Sequence, residues 1–119
     1  MLRPFVPAQD FDQSKRFYLA MGFKLGHADS NVAIITDGDV TFILQNFYVR
    51  DLAENLMLQL VVDDVEAWWA ERNPERLSEA FSTGSPTAPT LQPWGMKVGY
   101  IQDPSGVLWH VTELPAETL

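Results

Sequence analysis

The chain has 119 residues, of which 46% are hydrophobic and 20% are charged, a composition typical of one globular domain. Its net charge of −8 argues against a nucleic-acid partner, because phosphate contacts need clustered Lys and Arg. The absence of cysteine excludes disulfides, thiolate metal sites and cysteine nucleophiles. The sequence shows neither an apolar run of the roughly 20 residues that span a membrane nor a signal peptide, so we expect a cytoplasmic protein with no membrane partner.

The first half of the chain predicts a strand, a helix and three further strands. Residues 2–6 read as a strand, and Asp10 is placed to cap a helix at residues 11–21, whose apolar side chains recur every three or four positions. Gly22 stands where the helix needs a left-handed residue to end. Three strand-like segments follow, at residues 23–27, 32–36 and 40–45. The Asp-Gly-Asp sequence at residues 37–39 indicates a tight hairpin between the last two.

The second half begins with the same pattern of strand, capping Asp and helix. Residues 56–62 are apolar apart from one Gln, and Asp64 follows Asp10 at an offset of 54 residues. Asp64 is placed to cap a helix that runs to about residue 72. An internal repeat of one supersecondary unit is the simplest interpretation of this pattern.

The remainder of the second half is less regular until its last hairpin. Residues 75–81 are compatible with a further helical turn or with a poor strand, and residues 82–93 predict a long loop. Residues 96–102 and 107–112 are strand-like, and residues 103–106 between them read Asp-Pro-Ser-Gly. Because Pro and Gly occupy the positions that a type I turn prefers, this stretch predicts a β-hairpin.

The order and spacing of these motifs resemble the vicinal oxygen chelate superfamily, which contains glyoxalases, bleomycin resistance proteins and extradiol dioxygenases. The matching residues are Asp10, Ser14, Phe17, Tyr18, Gly22 and Phe23 in the first half and Trp94, Asp103, Pro104 and Gly106 in the second. The resemblance implies an α+β fold in which paired βαβββ modules, about residues 1–50 and 55–114 of a single domain, form a curved eight-stranded mixed sheet around a cleft. It also implies a homodimer, which would cover the open edges of such a sheet.

In the metal-dependent members of the superfamily, four side chains on the concave face hold a divalent ion. The positions that match them here are Arg3, Ile43, Met57 and His110, with Gln45 the nearest polar alternative to Ile43. A guanidinium has no lone pair to give, and a thioether is too soft for Mg, Mn, Fe(II) or Ni chemistry. Since only His110 could bind such an ion, we predict neither a metal site nor another cofactor.

We place a small-molecule pocket on the concave face between the two modules. Strand alternation puts Gln59 on the same side as Met57 and Gln45 on the same side as Ile43, so polar groups form its floor. The predicted ligand-binding residues comprise the polar floor, the Met57 thioether beside it and an aromatic rim. The floor is formed by Arg3, Gln45, Gln59 and His110, and the rim by Phe47, Tyr48 and Trp94. Structural alternatives remain open, because His110 could be a core histidine and Arg3 could pair with Glu113 or another carboxylate.

Two functions are compatible with this site. The first is a non-enzymatic protein that sequesters a planar aromatic or cationic compound, such as an antibiotic or a metabolite, and the acidic charge favours a cation. The alternative is a lyase, isomerase or dioxygenase of the glyoxalase type. Such an enzyme would use His110 and Arg3 as base and oxyanion clamp, or a non-standard metal site. A partner-binding module with an empty cleft is a third interpretation.

Overall fold

The computed structural model describes residues 1–116, which form eight strands and four helices. The first half contains β1 (Phe5–Pro7), α1 (Phe11–Ala20), β2 (Lys24–Ala28), β3 (Val32–Asp37) and β4 (Val40–Gln45). The second half contains α2 (Arg50–Ala53), β5 (Met57–Val61), α3 (Val65–Arg72), α4 (Pro74–Phe81), β6 (Thr87–Leu91), β7 (Lys97–Gln102) and β8 (Leu108–Glu113). None of the described helices is long and apolar enough to cross a membrane.

The eight strands form two four-stranded mixed sheets with equivalent strand orders, β1-β4-β3-β2 and β5-β8-β7-β6. In each sheet the first strand pairs in parallel with the last, and the other pairs are antiparallel. The predicted α+β class with its βαβββ units is therefore confirmed. The hydrogen-bonded ladder is interrupted between the two sheets, and β1 and β5 are the equivalent edge strands of each.

The helices α1 and α3 begin with the same kind of side-chain cap. The Asp10 side chain accepts a hydrogen bond from the Gln13 amide, and the Asp64 side chain accepts one from the Ala67 amide, both at 3.0 Å. Each bond satisfies one of the free N–H groups at a helix start. At the other end of α1, Gly22 has a φ of 104°, the left-handed conformation that lets the chain leave the helix at low cost.

Two segments of the second half are more regular than the sequence indicates, and in the first of them the helical alternative is correct. Residues 74–81 form helix α4, because Pro74 fits the first helical turn and the Asn73 side chain caps the Arg76 amide. The segment predicted as a long loop contains the edge strand β6, which pairs with β7 through a register shift. Its sequence, Thr-Ala-Pro-Thr-Leu, hides the strand because Pro is rare in central strands and tolerated at an edge.

The core joins the two halves through an aromatic cluster. The rings of Tyr18 and Phe42 lie 4.9 Å apart between centroids, and the Phe42 ring lies 5.4 Å from that of Trp109. Trp69 of α3 packs against β7 so closely that a Cβ at Gly99 would stand 2.4 Å from its ring. Trp69 therefore holds α3 against the second sheet.

A buried polar network runs through the same region. The Tyr18 hydroxyl donates to Asp103 Oδ2 at 2.5 Å and accepts from Trp109 Nε1 at 3.0 Å. Asp103 Oδ1 accepts from the amides of Ser105 and Val107 at 2.8 and 3.0 Å, which fixes the β7–β8 turn. Burial raises the pKa of Asp103 from 3.8 to about 6, although the hydrogen bonds from Tyr18 and the turn amides act in the opposite direction.

The raised pKa of Asp103 predicts a stability that depends on pH. Because the folded pKa exceeds the unfolded value, this group stabilises the fold fully below pH 3.8 and loses that contribution as the pH rises through about 6. The loss is on the order of 3 kcal/mol for a shift of about two units. We expect urea unfolding of wild type from pH 3.5 to 7.5 to show this decline relative to Asp103→Asn.

Tyr18→Phe is the matched control for this measurement. It keeps the carboxyl group but removes a hydrogen bond that lowers its pKa, so the decline should persist and move to higher pH. Parallel stability profiles for wild type and Asp103→Asn would contradict the assignment.

Candidate functional site

On the second sheet, one row of side chains that includes polar groups points away from the core. In β5, Met57 and Gln59 are exposed whereas Leu60 is buried, so the side chains alternate as the sequence predicts. Gln59 lies opposite His110 in the parallel pairing of β5 with β8. Trp109 points to the opposite face and belongs to the core.

His110 has an unused hydrogen-bonding atom on this face. Its ring packs edge-on against Tyr100 of β7, with 4.8 Å between ring centroids. Its Nε2 atom is buried and has no hydrogen-bond partner within residues 1–116. Since an unpartnered buried polar atom costs about 1–3 kcal/mol, this atom is a natural contact for a bound molecule or for water.

The first half of the chain carries Gln45 of the predicted floor and Phe47 and Tyr48 of the predicted rim. Ile43 and Gln45 are half-buried on one face of β4, and Leu44 between them is fully buried on the other. Beyond the strand, Phe47 is 49% exposed. Tyr48 instead packs against the core, so it is a less available ligand contact than Phe47.

Arg3 and Trp94 lie at the periphery. Arg3 is exposed in the segment before β1, and no ion pair of Arg3 occurs within the described residues. The alternative pairing with Glu113 is wrong, since Arg3 and Glu113 form no ion pair. Glu113 Oε1 instead accepts a hydrogen bond from the Val65 amide at the start of α3. Trp94 is 58% exposed in the turn between β6 and β7. The site residues are thus spread over both sheets and their ends.

A groove of about 480 Å³ lies between the two sheets. Most of its lining is apolar, and the first half contributes Val40 and Phe42 while the second contributes Leu58 and Leu60. Of the predicted ligand residues, Gln59 lines this groove. The apolar lining residues have the pattern of ordinary strand interiors, so the sequence alone does not single them out.

The residues at the superfamily's metal-ligand positions do not fit a metal site. Arg3, Ile43 and Met57 cannot bind a hard divalent ion, which leaves His110 alone. Within residues 1–116 there is no group of three or more His, Cys, Asp or Glu side chains placed to hold a metal.

Comparison with known proteins identifies the family. No family model matches the chain. The bleomycin resistance protein of Klebsiella pneumoniae is 30% identical over 116 residues, covering 92% of this chain and 89% of that protein. The chain belongs to the bleomycin resistance protein family. Membership of the vicinal oxygen chelate superfamily, predicted from the motifs, is thereby confirmed.

Solved structures share the fold of this chain. A bleomycin-binding protein in complex with bleomycin has a TM-score of 0.76 at 25% identity and covers 95% of this chain and 97% of its own. The bleomycin-binding protein of Streptomyces verticillus, complexed with copper(II)-bleomycin, has a TM-score of 0.77 at 22% identity, with 98% of each chain covered. A lactoylglutathione lyase from Agrobacterium tumefaciens shares the fold, with a TM-score of 0.66 at 17% identity and coverage of 95% and 92%.

The donor set of this family member predicts purification without a stoichiometric metal. After dialysis against Mn, Ni, Zn or Fe(II), elemental analysis should find much less than one ion per chain. About one tightly held ion per chain that disappears in His110→Ala would show that a non-standard site exists.

Proposed function

We propose that this bleomycin resistance family member binds and sequesters a planar aromatic or cationic antibiotic, with bleomycin the first candidate, and that it does so without a cofactor. The observation that carries the proposal is the 30% identity to a bleomycin resistance protein across nearly the whole chain. Sequestration fits a protein that remains in the cytoplasm and meets the compound there.

The chemistry of the open sheet faces supports this function. Gln59 and His110 offer adjacent polar groups, and the unpartnered Nε2 of His110 can exchange a hydrogen bond with a ligand amide or amine. Phe47 and Trp94 are exposed aromatic groups that can stack on planar rings or cations. The net charge of −8 concentrates cations near the surface.

The enzymatic alternative has weaker support. A glyoxalase-type reaction without a metal would use His110 as a base and Arg3 to stabilise an oxyanion. Within residues 1–116 no carboxylate is hydrogen-bonded to His110 to orient its ring. Likeness to the lactoylglutathione lyase at 17% identity concerns the fold and does not extend to the reaction.

We further propose that the protein is a homodimer, because the edge strands carry apolar side chains that one chain leaves uncovered. Phe5 of β1 is 57% exposed, and Met57 and Val61 of β5 are 63% and 48% exposed. Both strands also have one edge without a hydrogen-bonded neighbour in the described chain. A second copy would cover these groups, whereas exposed apolar edges in a monomer favour aggregation.

Binding of metal-free bleomycin should quench the tryptophan fluorescence of the wild-type protein. Trp94→Ala and Arg3→Ala should each weaken binding by about tenfold, since a lost aromatic or guanidinium contact costs roughly 0.5–2 kcal/mol. Leu19→Ala and Arg16→Ala, which alter exposed residues of α1, are the matched controls and should bind as wild type. No binding by the intact wild-type dimer would refute the proposed function, and equal binding by all variants would place the site elsewhere.

The dimer prediction can be measured by light scattering at micromolar concentration. Wild type should have twice the chain mass of 13.4 kDa, and Met57→Lys should shift the protein towards monomer by placing a charge on the β5 edge. Leu19→Lys places the same charge on an exposed site of α1 and should leave the dimer intact. A wild-type monomer at every concentration would contradict the proposal.

A further inference from the structure

A second hollow adjoins the groove beside the β3–β4 turn. This hollow, the groove mouth, has a volume of about 340 Å³ and lies between that turn and the end of β5. Val40 and Val61 line both the groove and the mouth, so the two spaces are neighbours. Asp37 borders the mouth from the first half of the chain, and Trp68 borders it from the second.

Arg72 lies behind this mouth at the end of α3. Its side chain is 14% exposed, and its Nη2 atom donates to Asp37 Oδ2 at 2.9 Å. Its guanidinium carbon stands 5.1 Å from the centre of the Trp68 ring, within the range of a cation–π contact. One guanidinium therefore contacts two residues that border the mouth from opposite sides.

A third contact anchors the guanidinium to the end of α1. Nη1 of Arg72 donates to the Met21 carbonyl at 3.0 Å. The next residue, Gly22, leaves room for this contact, because a Cβ there would stand 2.9 Å from Nη1. A lysine does not reproduce this arrangement, since its compact ammonium lacks the planar fork that reaches two separate acceptors while lying over the ring.

We propose that Arg72 is a positioning residue for ligand binding, which holds Asp37 and Trp68 at the separation that the groove mouth requires. Arg72 acts through these two residues and does not line the groove itself. Its charge also neutralises one of the carboxylates that border the mouth. Two others, Asp39 and Asp63, form no ion pair within residues 1–116. The proposal rests on the ligand-binding function proposed above.

The first test measures the affinity of metal-free bleomycin by titration calorimetry. Arg72→Met should weaken binding about tenfold and Asp37→Asn about threefold. The double variant should bind no worse than Arg72→Met, because both substitutions break the same interaction. Arg72→Lys should recover part of the affinity, since it restores the charge but not the forked geometry.

A control variant separates positioning from general stability. Ile35→Ala removes side-chain volume from a fully buried position in β3, and such truncations are strongly destabilising. At a temperature where every variant is folded by circular dichroism, Ile35→Ala should bind bleomycin within twofold of wild type. Equal losses in Ile35→Ala and Arg72→Met, or unchanged affinity in Arg72→Met, would overturn the positioning role.

The second test measures the geometry directly and does not need the ligand. Because the chain has no cysteine, spin labels can be attached at Lys24→Cys on β2 and Ala88→Cys on β6, two exposed positions in different sheets. Dilution with unlabelled protein removes distances between copies of the chain. In pulsed dipolar spectroscopy, Arg72→Met should broaden the distance distribution and Ile35→Ala should not.

The two tests distinguish the two proposals. If wild type fails to bind bleomycin, the proposed function fails and the spin-label distances alone decide the role of Arg72. If wild type binds and Arg72→Met changes neither affinity nor distances, the proposed function stands and the inference about Arg72 is wrong.

Discussion

The hydrogen bond between Tyr18 and Asp103 is the contact on which the arrangement of the two halves depends. It joins α1 to the β7–β8 turn, 85 positions apart in sequence, and Trp109 completes it by donating to the same hydroxyl. Burial and the neighbouring carboxylate raise the pKa of Tyr18 well above its ordinary value, so the hydroxyl remains a donor. A second bond, from the Gln9 amide to the Ser105 hydroxyl, docks the same turn onto the loop before α1.

This junction explains why the core and the polar row of Gln59 and His110 lie on opposite faces of the sheets. The aromatic cluster around Phe42 and Trp109 occupies the face that α1 and α3 cover. The alternate residues, including Gln45, Gln59 and His110, must then point away from the core. Gln45 and Gln59 thereby avoid full burial in an apolar core, and their face is left available for a ligand or a second chain.

This protein differs from the metal-dependent members of the superfamily in the side chains at the metal-ligand positions. Arginine, isoleucine and methionine stand at three of the four matching positions, and their side chains cannot take the place of imidazole or carboxylate ligands. A face that lacks a metal can still recognise a ligand through hydrogen bonds, aromatic stacking and charge. These are the groups that the exposed residues of both sheets supply.

The sequence by itself determined most of the fold. The caps at Asp10 and Asp64, the glycine at position 22 and the Asp-Pro-Ser-Gly turn each act through contacts within a few residues, so local patterns revealed them. The strand β6 escaped prediction because its pairing with β7, and not its own propensity, makes it a strand. Strand alternation assigned Gln45 and Gln59 to the face of the superfamily's ligand positions, but it does not say what lies across from that face. Only the tertiary structure decided that Val40 and Leu60 line a common groove and that Arg72 stands behind its mouth, because those relations depend on how two halves distant in sequence pack together.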